Sequence, residues 1–268
     1  MFKQWIISIV LTASSCLFIN ANAFAHLREQ TIDYRSSDTV MKGFLVWDDA
    51  VTGKRPGVLV VHEWWGLNDY SRSRARQLAQ LGYTALALDM YGDGKAATHP
   101  ADAQEFMHSV MSQSEVMKKR FMAAKSVLER DDTVDPARIA AIGYCFGGYV
   151  VLQMAREGVP LKAVASFHGM LGTETPARAN TVTAKVAAFN GGDDSMVPQT
   201  SIDTFKQEMT TAGVDYQFVN YPGAKHGFTN PEATALGQQF NMPIAYNAAA
   251  DQDSWEKLKA LLARAFSE

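Results

Sequence analysis

The sequence predicts an α/β fold: a mostly parallel central sheet with helices on both faces. Short continuous apolar runs, such as Gly-Val-Leu-Val-Val-His at Gly57–His62, have the composition of strands buried on both faces. They alternate with amphipathic stretches of helical period, and that order leads to parallel strands joined by helical crossovers. A length of 268 residues, 47 % apolar and 20 % charged, suits a globular chain with a sizeable core.

Residues 1–25 stand apart. Lys3 precedes a largely apolar run, Ile6 to Ile19, and the segment closes on small residues at Ala21, Ala23 and Ala25. This is the pattern of a secretory signal peptide, with cleavage after Ala23 or Ala25. The apolar run is shorter than the ~20 residues that span a bilayer, which disfavours an uncleaved anchor. A lipoprotein signal at Cys16 lacks the usual large aliphatic residue before it, since Ala13-Ser14-Ser15 stands there. Residues 26–268 are then expected to form a single domain, with no membrane association after the signal is removed. The expected address is across the inner membrane, and the periplasm in a Gram-negative host.

The elements follow in order. Strands are expected at Val40–Trp47, Gly57–His62, Thr84–Leu88, Arg138–Ile142, Lys162–Phe167, Lys185–Asn190 and Asp215–Val219. Asn68 or Asp69 caps a helix that runs to Leu81, and Gly82 stops it. Ala101–Arg130 reads as helical in one or two pieces, and Gly148–Arg156 as a helix after the fourth strand. Pro198 suits the first turn of a helix that ends before Gly213. Trp255, Leu258, Leu261, Leu262 and Phe266 recur at helical spacing and mark an amphipathic closing helix.

Charge excludes some functions. With 25 basic and 28 acidic side chains the net charge is −3, there is no basic cluster, and nucleic acid is not an expected partner. His99, His108 and His168 form no ligand-spacing motif, and the second His of an H-E-x-x-H pattern after His62-Glu63 is replaced by Gly66. No metal or other cofactor is expected. Of the two cysteines, Cys16 leaves with the signal and Cys145 remains without an internal disulfide partner.

Three strand ends carry the chemistry. Gly143-Tyr144-Cys145-Phe146-Gly147-Gly148 follows a strand and opens a helix, the context of a G-x-nucleophile-x-G elbow. A turn this tight leaves no room for side chains at 143 and 147, the helix N-terminus favours thiolate at Cys145, and the Phe146 N–H is placed as an oxyanion donor. Gly191-Gly192-Asp193-Asp194 follows the sixth strand and offers an acid to orient a histidine. Asp194 is preferred on its spacing to Val197-Pro198, and Asp193 reads as a turn or cap residue. Tyr221-Pro222-Gly223-Ala224-Lys225-His226 places His226 in a loop after the last strand as general base and acid. The order Cys145, Asp194, His226 is that of nucleophile, acid and histidine in α/β-hydrolases.

Taken with His62-Glu63-Trp64-Trp65-Gly66-Leu67-Asn68, Leu88-Asp89-Met90-Tyr91-Gly92, Ser166-Phe167-His168-Gly169 and His226-Gly227-Phe228, these strings resemble the dienelactone hydrolases. The resemblance implies an α/β-hydrolase fold and a Cys–Asp–His triad hydrolysing carboxylic esters or lactones through a thioester. It places Glu63 beside the nucleophile, where it helps switch a resting thiol to an attacking thiolate, and makes the Trp64 N–H the second oxyanion donor. A carboxylate beside a thiol opposes thiolate formation, which would protect an exported Cys from oxidation until substrate binds. Trp65, Tyr91, Tyr144 and His168 are candidate pocket residues. The sequence departs from the family at Asn230, four residues after His226, where an arginine grips the carboxylate of dienelactone substrates; no arginine lies between Arg76 and Arg120 either. A small-molecule ester or lactone is the expected substrate, with lactone, aryl ester and thioester all suited to this chemistry and dienelactone itself disfavoured. Two rival readings are a thiol redox or peroxide-sensing protein and a non-catalytic binding module on the same fold.

Overall fold

The computed structural model describes residues 26–267. The expected signal peptide, with Cys16, lies outside the described residues. Eight strands form one sheet: β1 (Leu27–Ser36), β2 (Thr39–Asp48), β3 (Arg55–Val61), β4 (Thr84–Leu88), β5 (Val134–Tyr144), β6 (Ala163–Phe167), β7 (Lys185–Gly191) and β8 (Tyr216–Tyr221). Their spatial order is β1-β2-β4-β3-β5-β6-β7-β8. β1 and β2 run antiparallel at one edge, and β3 to β8 are parallel.

The helices are α1 (Asp69–Gln80), α2 (Pro100–Met111), α3 (Ser114–Arg130), α4 (Phe146–Arg156), α5 (Gln199–Thr211), α6 (Ala233–Phe240) and α7 (Ala248–Phe266). Period-2 alternation along the buried strands divides the core between the two faces. Val58 and Val60 of β3 pack with Leu78 of α1 and with Leu258 and Leu262 of α7. Leu59 and Val61 pack on the opposite face with Phe121 and Leu128 of α3, Val150 of α4 and Phe205 of α5. Among the described residues no helix is long and apolar enough to cross a membrane.

Several boundaries differ from the sequence reading, each for a local reason. β1 has few apolar residues because it is an edge strand; it is held by a full antiparallel register to β2, from Leu27↔Asp48 to Ser36↔Thr39. β5 begins four residues before Arg138, where Arg55 pairs with Val134 across an irregular register. α4 starts at Phe146, directly after Cys145, rather than at Gly148. Pro198 is the extended N-cap of α5 and not part of its first turn. α6 is short and starts among small residues after Asn230, so it shows little periodicity.

The parallel strands bring six loops to one edge, at their C-terminal ends, where sheets of this kind bind ligands. The junction of β5 and α4 is the tightest point. Cys145 has φ 54° and ψ −115°, outside the regions that a non-glycine residue favours. A Cβ on Gly143 would lie 2.0 Å from the Gly147 carbonyl oxygen, and one on Gly147 would lie 2.3 Å from the Val61 carbonyl oxygen. Both obstacles are backbone and cannot rotate away. Gly147→Ala should therefore push α4 off β3, with a stability loss of ~3 kcal/mol or more and a collapse of any activity that depends on Cys145. Equilibrium urea unfolding measures the first effect; a variant with parental stability would show that the helix can move freely.

Candidate active site

Asp194, His226 and Cys145 come from the loops after β7 and β8 and the elbow after β5, and the structure brings them together. His226 Nδ1 lies 2.8 Å from Asp194 Oδ2. The other carboxylate oxygen of Asp194 accepts the Met196 N–H at 2.9 Å, which fixes its plane. Asp193 is exposed; its carboxylate accepts the Gly223 N–H at 3.3 Å and braces the neighbouring loop. Donation from Nδ1 leaves His226 Nε2 free to exchange a proton. Nε2 is buried, close to the Cys145 sulfur but outside hydrogen-bond geometry. Burial works against a charged imidazole, but the adjacent Cys145 sulfur and the Asp194 carboxylate outweigh it and hold the His226 pKa well above its ordinary value.

Glu63 lies in the same cavity and is buried. Burial pushes its carboxyl from an ordinary 4.5 up to about 7, although the Asn230 hydrogen bond and the positive charges of His226 and Arg74 oppose this. Among the described residues its side-chain partner is Asn230, whose Nδ2 donates to Oε2 at 2.7 Å, and no hydrogen bond joins it to Cys145. Asn230 Oδ1 accepts the Glu232 N–H at 3.0 Å, so both ends of this side chain are engaged. The sequence marks Asn230 only as a missing arginine; its role as the partner of Glu63 rests on a contact across 167 residues, which local spacing does not reveal.

The loop carrying Trp64 is held from behind. His62 uses both ring nitrogens, one against the Glu63 carbonyl at 2.5 Å and one on the Met90 N–H at 3.1 Å. Burial lowers its pKa, consistent with a neutral ring. Tyr91 donates its hydroxyl to the Trp64 carbonyl at 2.8 Å. Asp89 accepts the N–H groups of Tyr91, Gly92, Gly94 and Lys42 and locks the loop that presents Tyr91. Among the described residues no protein acceptor takes the N–H of Trp64 or of Phe146, the latter being the first residue of α4.

A second buried network supports the His226 loop, and sequence reasoning missed it. Thr229 Oγ1 lies 2.5 Å from the Tyr70 hydroxyl and 2.7 Å from His168 Nε2. Arg74 donates to the Thr229 carbonyl at 2.7 Å and to Asp251 at 2.5 Å, tying α1, the loop and α7 together. The Arg74 guanidinium also lies 5.6 Å from the Tyr144 ring centroid. His168 packs edge-on to His226 with ring centroids 5.2 Å apart. Burial, with His226 alongside, holds its pKa well below the ordinary value.

The cavity measures about 140 Å³ and is lined mainly by apolar side chains, including Trp64, Trp65, Phe146, Met170, Leu236 and Ile244, around Cys145, His226, Glu63 and Asn230. Neither lysine nor arginine lines it. Trp65 lines this cavity. Tyr91, Tyr144 and His168 do not line it: Tyr91 is hydrogen-bonded to the Trp64 carbonyl, Tyr144 is stacked on Phe167 in the core, and His168 packs edge-on to His226. Among the described residues no group of three or more His, Cys, Asp or Glu is placed to hold a metal ion.

The raised carboxyl of Glu63 makes stability depend on pH. Between its unfolded pKa near 4.5 and its folded pKa of about 7, the folded chain keeps a proton that the unfolded chain has lost. Stability contributed by this group therefore falls as pH rises through that window, by up to ~3 kcal/mol, and is level above it. Glu63→Gln has no proton to lose. Its melting temperature relative to the parent should climb from pH 4.5 to pH 7 and then hold constant. A pH-independent difference would mean that Glu63 titrates as an ordinary carboxylate.

Comparison with known proteins agrees with this fold. The profile of the Dienelactone hydrolase family matches residues 41–266. A protein of Synechocystis sp. named as a candidate carboxymethylenebutenolidase is 28 % identical over 236 residues, covering 82 % of this chain and 89 % of the relative. The solved structure named m3DLH is 36 % identical with a TM-score of 0.85, covering 90 % of this chain and 99 % of that one. A dienelactone-hydrolase-like promiscuous phosphotriesterase from metagenomic libraries is 34 % identical with a TM-score of 0.84, covering 89 % of this chain and 98 % of that one. With its eight-stranded α/β sheet and a match that spans most of its length, the chain belongs to the dienelactone hydrolase family of α/β-hydrolases.

Proposed function

We propose that the protein is an exported cysteine hydrolase of uncharged carboxylic esters or lactones. The carrying observation is His226, buried between the Asp194 carboxylate and the Cys145 sulfur at an apolar cavity. Asp194 holds the imidazole in the tautomer that leaves Nε2 available and stabilises its charged form. The Cys145 thiolate attacks the carbonyl carbon and the oxygen takes up negative charge. The N–H groups of Phe146 and Trp64 receive that charge. The C–O bond then breaks, and the His226 imidazolium gives its proton to the departing alkoxide. A thioester on Cys145 remains. His226 next takes a proton from water, the hydroxide attacks the thioester, and the C–S bond breaks to release the acid. The proton stays on His226 beside the restored thiolate. From a lactone the leaving alcohol stays tethered, and the product is a hydroxy acid.

The acyl group is uncharged because no lysine or arginine lines the cavity and Asn230 is engaged by Glu63. A carboxylate there would lose its hydration without a cation to replace it. The same feature favours a second substrate reading, neutral phosphotriesters, given the likeness to a relative described as a promiscuous phosphotriesterase. Export is supported by Lys3, the apolar run to Ile19 and the small residues before Ala25.

Aryl esters with a common leaving group test the proposal. Nitrophenyl butyrate should exceed nitrophenyl hemiglutarate at least tenfold in kcat/KM. Cys145→Ala, or alkylation of the thiol, should reduce both at least 1,000-fold. Equal rates on the two esters would contradict the uncharged pocket, and turnover surviving in Cys145→Ala would exclude the cysteine as nucleophile. An aryl dialkyl phosphate in the same panel decides the second reading.

A further inference from the structure

The cavity over Cys145, at about 140 Å³, is smaller than the ~300–1,000 Å³ of sites that enclose a whole small-molecule ligand. It holds one part of a substrate, so the remainder lies outside it. Met170 and Met196 line the cavity and also line a groove of about 720 Å³ between α3, α4 and the segment that follows β6. The two spaces are neighbours across a thioether saddle, and their chemistry differs. The groove presents a series of hydroxyl, amide and carboxylate groups, including Ser112, Gln153, Glu157, Thr173, Thr175 and Ser201, and neither lysine nor arginine lines it.

The outer wall of this groove is built in advance. Gln153 donates to Thr173 at 2.8 Å, and Thr173 Oγ1 accepts the Thr175 N–H at 3.0 Å. The buried Arg156–Glu208 pair pins the same segment at both ends: Arg156 donates to the Leu171 carbonyl at 2.8 Å, and Glu208 accepts the Ala177 N–H at 2.7 Å. The groove also opens on the productive side. Met196 is bound through its N–H to Asp194, which orients the His226 ring that protonates the departing oxygen. The groove therefore adjoins the His226 side of the cavity across Met196.

We propose that the groove is the leaving-group subsite and takes an uncharged polyhydroxylated alcohol, a sugar or polyol, so that the substrate is a polyol ester of an apolar acid. This rests on the hydrolase reading above. An apolar alcohol would strip water from the serine hydroxyls and the Glu174 carboxylate and return no hydrogen bonds. An anionic alcohol would meet the Glu174 carboxylate, and Lys118, beside the groove, is already paired with Glu157 at 2.9 Å. A polyol hydrogen-bonds to the Ser114 and Ser201 hydroxyls and the Glu174 carboxylate and offers a C–H face to the half-buried Tyr149 ring. A second cleft leaves the cavity past Met107 and Met170 along α2, but it lacks this row of hydroxyl groups.

Butyrate esters with a fixed acyl group provide the test. The parent should hydrolyse glucose 6-butyrate with kcat/KM at least tenfold above ethyl butyrate. Thr175→Trp and Ser112→Trp, which add bulk at two exposed positions lining the groove, should bring that ratio towards one. Two variants guard against a folding defect in either, and melting curves monitor both. Nitrophenyl butyrate is run alongside. If it is cleaved while glucose and ethyl esters react alike, the subsite is wrong and the hydrolase reading stands. A preference for octyl butyrate likewise overturns the polyol assignment. If no ester is cleaved, the hydrolase reading fails and the subsite falls with it.

Discussion

The site depends on one steric constraint, the contact of backbone with backbone where β5 turns into α4. Gly143 and Gly147 approach within what would be 2.0 Å and 2.3 Å of a Cβ, and Cys145 between them takes a positive φ. The strain at one residue is held by contacts on every side: Val61 of β3 beneath, Phe167 of β6 through the Cys145 N–H at 3.0 Å, and the first turn of α4 above. Because that geometry lifts the thiol off the end of the sheet, the loops after β3, β7 and β8 can surround it. Moving α4 by an ångström would misplace the thiol, the Phe146 N–H and the inner rim of the cavity together.

Around this point charge is buried with partners in place. Asp194 faces His226, His226 faces Cys145, and Asn230 faces Glu63. Behind them Arg74 and Thr229 brace the His226 loop against α1 and α7. Burial disfavours each charged form on its own, so the arrangement holds only as a set. Glu63 has one side-chain hydrogen bond, from Asn230, and burial raises its carboxyl to about 7. The carboxyl is thus close to its own titration point, in the cavity that Cys145 and His226 also line.

The parallel sheet and the three strand ends were legible because their signals are local. Val58 to Val61 announce a doubly buried strand without reference to any partner, and the spacing of Gly143, Cys145 and Gly147 states a turn too tight for side chains. The edge strand β1 was hidden because only Tyr34 and Ser36 are buried there; its stability comes from β2. Asn230 and Arg74 were hidden for a related reason. Their partners, Glu63 and Asp251, lie 167 and 177 residues away, and no periodicity encodes a contact over that distance. Tyr91, Tyr144 and His168 sit at strand ends, where sequence position suggests a pocket wall. Whether such a ring lines the pocket or supports it depends on neighbours that the fold brings together.

Covalent chemistry at Cys145 is the central claim, and mass spectrometry of the acyl-enzyme tests it most directly. The parent is mixed with excess nitrophenyl butyrate, quenched in acid within the first turnovers, and mapped by peptide. The expected result is a single butyryl group on the peptide containing Cys145, labile to hydroxylamine, that appears with the nitrophenol burst and decays at the rate of steady-state turnover. Full hydrolysis with Cys145 never acylated, or with the acyl group on another residue, would contradict the assignment.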